Sequence, residues 1–173
     1  MLGEDMNMTD FTDQQAGSLA LDSQICFAVY SAAHAFTRLY SVLLDAHGLT
    51  YTQYLVLLVL WEGDGLTVKE LGARLRLDSG TLTPVLRRLE NQGHVTRERD
   101  TADQRRVHVY LTRGGRDLQP RIADIRRVVF HATGLGAADL EALKQQLEQV
   151  ATALDSTAEH LDSTRTRAAD AHG

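Results

Sequence analysis

Between Thr67 and Leu111 the hydrophobic period changes once, and that change dictates the order of elements the segment can form. Thr67-Val68-Lys69-Glu70 has the Ser/Thr-x-x-Glu form of a capping box and opens a short helix, with Leu71 and Leu75 one turn apart. Arg76-Leu77-Asp78 makes a turn, and a second helix carries Leu82, Val85, Leu86 and Leu89 on its inner face until Gly93 ends it. Two starts are open for this second helix. Asp78 or Ser79 caps it, or Thr83 caps it with Pro84 as the first helical residue. The earlier start, with irregular geometry near Pro84, is the favoured reading. Beyond Gly93 the pattern alternates: Val95-Thr96-Arg97-Glu98-Arg99 and Val107-His108-Val109-Tyr110-Leu111 are β-type runs joined by a polar tip. Helix, turn, helix and a basic-tipped two-stranded hairpin make the order of a winged helix-turn-helix.

Helical patterns flank this segment. From Leu21 to Asp45 the residues Cys26, Val29, Ala33, Phe36, Tyr40 and Leu43 recur at steps of three and four, and Gly48 ends the run. The stretch from about Thr52 to Glu62 is apolar nearly all round and belongs in the middle of the domain. Thr112 starts a fifth helix with Leu118, Ile122, Ile125 and Val129 inward, ending at Gly134 or Gly136. The sixth carries Leu140, Leu143, Leu147, Val150, Leu154 and Leu161, a seam that wants a partner helix. Long helices at both ends predict a homodimer, which would repeat the reading unit at the spacing of a palindromic operator.

Charge is unevenly spread. The chain carries −5 overall, yet residues 67–113 hold ten basic and six acidic residues, a balance of +4 that leaves −9 for the remainder. A basic centre between acidic ends is the footprint of a phosphate-facing surface. No stretch approaches the ~18 apolar residues of a membrane span, and the acidic start, Met1 to Gln15, lacks the pattern of a signal peptide. One cysteine and no export signal predict a cytoplasmic protein. His34, His47, His94, His108, His131, His160 and His172 show no metal spacing, so neither metal nor cofactor is assigned.

Double-stranded DNA is the expected partner of the motif. The second helix enters the major groove with its amino-terminal residues nearest the bases. There Ser79, Gly80, Thr81 and Thr83 offer hydroxyls and backbone amides to phosphates or bases, and methyls to thymine. Simple capping is the competing role for each hydroxyl. Arg87 and Arg88 follow one or two turns later.

The lone thiol is the other candidate site. Cys26 cannot form an intrachain disulfide. It is either a small core residue or a group that reacts with something from outside. A thiol attacks peroxides as its thiolate. If Asp22 or Ser23 caps the helix, Cys26 falls within its first two turns, where the dipole favours the anion. Burial among Phe27 and Val29 opposes this, so hydrogen-bond donors are needed. Tyr30, four residues on, shares a helical face with Cys26.

Four strings carry a resemblance: Ile25-Cys26-Phe27-Ala28-Val29-Tyr30, Leu49-Thr50-Tyr51-Thr52-Gln53-Tyr54, Leu77-Asp78-Ser79-Gly80-Thr81-Leu82-Thr83-Pro84, and Asp103-Gln104-Arg105 leading into Leu111-Thr112. The chain resembles the MarR family of winged-helix regulators over about Leu21 to Leu118, and within it the organic hydroperoxide repressors (OhrR type). The wing string is general to the family; the cysteine string joined to Leu-Asp-Ser-Gly-Thr-Leu-Thr-Pro is narrower. The resemblance implies a mainly α fold with a small β-hairpin wing and dimerisation helices at both ends. It makes Arg88 a DNA contact, with Arg87 facing phosphates. It sends Arg105 into the adjacent minor groove, with Asp103 holding that arginine or the wing backbone in place. Tyr40 and Tyr51 match the tyrosines that bond the thiol across the dimer.

The expected organisation is a mobile tail over 1–18, one MarR-like domain over 19–161 and a tail over 162–173. Within the domain, 67–113 is the winged helix-turn-helix, and 19–48 and 114–161 hold the dimerisation helices. Three functions stay open. The first is a repressor whose Cys26 is oxidised by organic hydroperoxides, a small cellular thiol completing the chemistry because no resolving cysteine is present. The second is a regulator released by a small aromatic ligand, with Cys26 inert. The third, a thiol peroxidase, has no use for a basic wing, so a non-enzyme is expected.

Overall fold

The computed structural model describes residues 20–170, and the tail expected over 1–18 lies outside them. Helix α1 (Ile25–Asp45) is followed by α2 (Tyr51–Glu62), strand β1 (Leu66–Thr67), α3 (Val68–Leu75) and α4 (Ser79–Asn91). Strands β2 (Val95–Arg99) and β3 (Val107–Leu111) come next, then α5 (Arg113–Ala132) and α6 (Ala137–Asp170). The fold is mainly helical with a small antiparallel wing, as expected. The chain divides into two compact units, one ending at Val129 and the other starting at Phe130.

In the first unit, side-chain caps set the helix starts. Thr50 and Gln53 form a reciprocal capping box on α2, and Thr67 and Glu70 form another on α3. Asp78 caps α4 by accepting from the Thr81 N–H at 2.9 Å, which selects the earlier of the two starts. The irregular geometry expected near Pro84 is corrected: α4 runs unbroken across that residue. Pro84 lacks an N–H, and in the preceding turn the Thr83 hydroxyl donates to the Ser79 carbonyl.

Two further expectations are corrected. The first helix begins at Ile25, not Leu21; residues Leu21–Ser23 form a separate 3₁₀ turn. Neither Asp22 nor Ser23 caps α1. The N-cap is Gln24, and the Ser23 hydroxyl donates backwards to the Ala20 carbonyl at 2.7 Å. The wing also has three strands in the order β1-β3-β2, because Leu66 and Thr67 pair with Val109 and His108 of β3. A two-residue strand is too short to show alternation in sequence.

The core of this unit gathers residues from every helix and from β2 and β3. Leu57, Leu60, Leu71, Leu82, Leu86, Leu89 and Val109 are completely or almost completely buried. Gly115 is required here: a Cβ on it would meet the His94 carbonyl oxygen at 2.1 Å. Trp61 Nε1 donates to the carbonyl of the same glycine at 3.0 Å.

The second unit is chiefly α6. Leu143, Leu147, Val150, Leu154 and Leu161 of the expected seam are all exposed within one chain. Helical backbone continues to Asp170, into the tail expected over 162–173, whose residues 171–173 lie outside the described ones. Ser163 and Thr164 direct their hydroxyls to the His160 carbonyl, and Arg165 pairs with Asp162, so the polar run sustains the helix.

Candidate DNA-reading surface and thiol site

The helix–wing half of the molecule forms an open groove of about 930 Å³ between α3, α4 and the wing. It brings together Ser79 and Thr83 from α4 with Asp103 and Arg105 from the wing tip, residues 20 or more positions apart in sequence. Lys69 and Arg97 also line it. Gly80, Thr81, Arg87 and Arg88 sit exposed on α4 outside that lining. Two hydroxyls already have intrachain acceptors: Thr81 donates to Asp78 Oδ2 at 2.8 Å, and Thr83 to the Ser79 carbonyl at 2.6 Å. Their oxygens keep acceptor capacity, but capping is part of what Thr81 does.

The wing tip is a hydrogen-bonded turn. Asp100 Oδ1 accepts from the N–H groups of Ala102 at 2.7 Å and Asp103 at 3.1 Å, which holds its carboxyl below the usual range, with His108 adding to the effect. Asp103 Oδ1 accepts from the Arg105 backbone N–H at 3.0 Å, so Asp103 holds the wing backbone and leaves the guanidinium to solvent. Arg87, Arg88 and Arg105 are exposed, and none has an ion-pair partner among the described residues. By contrast Arg97 is clamped to Glu90 at 2.6 Å, tying β2 to the end of α4.

Around the thiol, Cys26 is the second residue of α1 and is exposed. First-turn N–H groups of a helix have no intrahelical acceptor, and their dipoles favour an anion there. Ile25, Val29 and Tyr30 are exposed beside it, so the desolvation expected from Phe27 and Val29 is incomplete in a single chain. The three tyrosines do not form one cluster. Tyr30 packs on His34 at 4.2 Å, whereas Tyr40 stacks on Tyr51 at 4.4 Å and meets Tyr54 at 5.5 Å. Tyr40 lies fourteen positions after Cys26, about 21 Å along α1. Tyr40 therefore cannot reach the thiol of its own chain. Burial pushes the Tyr40 hydroxyl up to about 12, with Tyr54 and Tyr51 adding and Arg126 opposing; burial also raises Tyr51 and Tyr54.

The sequence reading missed a polar chain between these regions. Gln53, 2% exposed, donates from Nε2 to Gln92 Oε1 at 3.0 Å, and Gln92 Nε2 donates to the Gly48 carbonyl at 2.7 Å. Gln53 belongs to the α2 cap beside Tyr51, and Gln92 is the C-cap of α4. A glutamine inside an apolar run was the available signal.

Fold and groove together define a winged-helix protein with an arginine-bearing wing beside α4. A family model described as transcriptional regulator SarA/Rot matches residues 38–122. The chain is 50% identical over 166 residues to the HTH-type transcriptional regulator TtmR of Methylorubrum extorquens strain PA1, covering 96% of this chain and 82% of that one. It is 43% identical over 129 residues to the organic hydroperoxide resistance transcriptional regulator of Bacillus subtilis strain 168, covering 75% and 88%. Among solved structures, reduced AbfR bound to DNA superposes with a TM-score of 0.66 at 36% identity, over 78% of this chain and 93% of AbfR. AbfR, from Staphylococcus epidermidis, has also been solved in a disulfide-formed state. The chain belongs to the MarR/SarA family of winged-helix, DNA-binding transcriptional regulators. Its relatives are named as regulators, not enzymes. No helix among the described residues is long and apolar enough to cross a membrane.

Proposed function

We propose that this regulator is a homodimeric repressor that senses organic hydroperoxides through Cys26 and then releases its operator, derepressing a peroxide-detoxification gene in the cytoplasm. The observation that carries the sensing reading is the placement of Cys26. It stands exposed in the first turn of α1, beside apolar side chains that one chain leaves uncovered, in a protein 43% identical to a hydroperoxide resistance regulator. A second subunit laid over this face would desolvate the thiol and bring the partner's tyrosine hydroxyls within reach. The uncovered seam of α6 supports the same dimer.

In the proposed reaction the Cys26 thiolate attacks the distal peroxide oxygen. The S–O bond forms as the O–O bond breaks, the thiol sulfur is oxidised to the sulfenic acid, and the leaving alkoxide takes a proton to depart as alcohol. A small cellular thiol then condenses with the sulfenic acid, water leaves, and the mixed disulfide adds bulk at the subunit face. The tyrosine stack and the Gln53–Gln92 chain offer a route from that face to the end of α4. On the DNA side, Ser79, Gly80, Thr81 and Thr83 face the major groove, Arg87 faces the phosphates, Arg88 contacts the DNA beside it, and Arg105 enters the minor groove, with Asp103 fixing the tip.

The alternative, an aromatic ligand with Cys26 structural, is separated from this reading by one substitution. The test is Cys26→Ser, assayed on a duplex the protein itself enriches from a random-sequence pool. Wild type should release the duplex on cumene hydroperoxide and the variant should hold it. Intact mass with and without a small thiol identifies the adduct. Release that survives the substitution refutes thiol sensing.

A further inference from the structure

One imidazole closes the wing. His108 lies on β3, paired in register with Glu98 of β2 and Thr67 of β1. Its Nδ1 faces the Gly65 carbonyl oxygen at 2.9 Å, and its Nε2 faces Asp100 Oδ2 at 3.2 Å. A carbonyl and an ionised carboxylate only accept hydrogen bonds. A neutral imidazole has a single N–H, so it makes one of these bonds and turns a lone pair towards the other acceptor. Only the imidazolium donates to both. The two acceptors also lie on separate pieces of the fold. Gly65 leads into β1, while the second oxygen of Asp100 shapes the turn that carries Asp103 and Arg105.

We infer that His108 is a positioning residue of the wing: as an imidazolium it ties the Asp100 turn, and Arg105 with it, to the sheet, and DNA binding weakens when it loses its proton. The inference rests on the reading of Arg105 as a DNA contact. Asp100 on the wing and Glu70 on α3 supply negative charge towards the ring, Glu98 stands opposite on β2, and Arg106 opposes protonation. The Gly65 carbonyl and then Asp100 raise the ring above the ordinary imidazole value. For a raised group, the contribution is complete below the unfolded value of ~6.5 and is lost as pH rises through the folded value. On deprotonation the proton passes to solvent, one of the two bonds becomes a repulsion between lone pairs, and the tip is released. By linkage, DNA that requires the ordered tip raises the ring's pKa further. Affinity then falls up to about tenfold for each unit of that rise.

The experiment pairs an NMR titration of the ring in DNA-free protein with anisotropy measurements on the enriched duplex. Both run from about pH 5.5 to about 8.5 at constant ionic strength. His108 should titrate above the ordinary value in wild type and lower in Asp100→Asn. Wild-type affinity should fall with pH, and His108→Gln should bind at every pH as weakly as wild type does at the alkaline end. Should His108→Gln not fold, Asp100→Asn carries the affinity test, its midpoint moving to lower pH. A ring that titrates at the ordinary value, or that ignores Asp100→Asn, overturns the inference. So does His108→Gln with wild-type pH dependence. Arg105→Ala tells the two failures apart. If it binds normally, the wing reading has failed; if it binds weakly while affinity stays flat with pH, only the role of His108 has.

Discussion

Replacing Arg105 by alanine should weaken DNA binding without touching the fold. The side chain is exposed at the tip, and the bond that shapes this part of the turn is to its backbone N–H, which alanine keeps. Stability should therefore stay within about 0.5 kcal/mol of wild type. Each wing loses a contact worth about 1 kcal/mol or more, so a dimer with two engaged wings loses about 2 kcal/mol, roughly 30-fold in affinity. Salt dependence gives a second, independent number. Two guanidinium charges withdrawn from the DNA should flatten the slope of log affinity against log salt by about 2. Arg105→Lys separates charge from geometry: it should restore the slope but only part of the affinity, because an ammonium is more strongly hydrated than a guanidinium. Anisotropy titrations on the enriched duplex at several salt concentrations measure both quantities, and circular dichroism confirms the fold. Unchanged affinity together with an unchanged slope would take the wing off the DNA.

Leu86→Ala should cost about 2–5 kcal/mol in denaturant unfolding, because Leu86 is fully buried on the inner face of α4 and its truncation leaves a cavity beneath that helix; a loss below 1 kcal/mol, on that same scale, would mean the helix is not seated as described. In an alkaline absorbance titration, Tyr40 should ionise near 12 and well after an ordinary tyrosine. Its folded value is raised, so the stability it contributes is complete below about 10 and is lost as pH climbs towards 12. Tyr40→Phe should remove that late step, and a Tyr40 that ionises near 10 would refute the half-buried stack.

What was legible in the sequence was what is encoded locally. The Thr67–Glu70 box, the Asp78 cap and the break at Gly93 each lie within a few residues, and each sets a boundary of the reading motif. What was hidden depends on distant partners. β1 exists because β3, some forty residues later, offers an edge to Leu66 and Thr67. The Gln53–Gln92 bond spans 39 positions, and the helix–wing groove needs α4 and the hairpin placed side by side. The start of α1 is hidden for a different reason: Asp22 and Ser23 have the chemistry of caps, but the Ser23 hydroxyl finds its acceptor upstream, at Ala20.

Charge shows the limit most clearly. A balance of +4 over residues 67–113 identifies a basic segment but treats every arginine alike. The fold sorts them. Arg97 is spent on Glu90, Arg74 on Glu62, and Arg99 donates to the Gln104 carbonyl, so these three serve the protein itself. Arg87, Arg88 and Arg105 have no ion-pair partner among the described residues, and they stand on the reading helix and the wing tip. Counterion release depends on charges that can reach phosphate, not on those already paired. Neutralising Arg97 should therefore loosen the joint between β2 and α4 and shift the salt slope less than neutralising Arg87 or Arg88, although a sequence count weights the three equally.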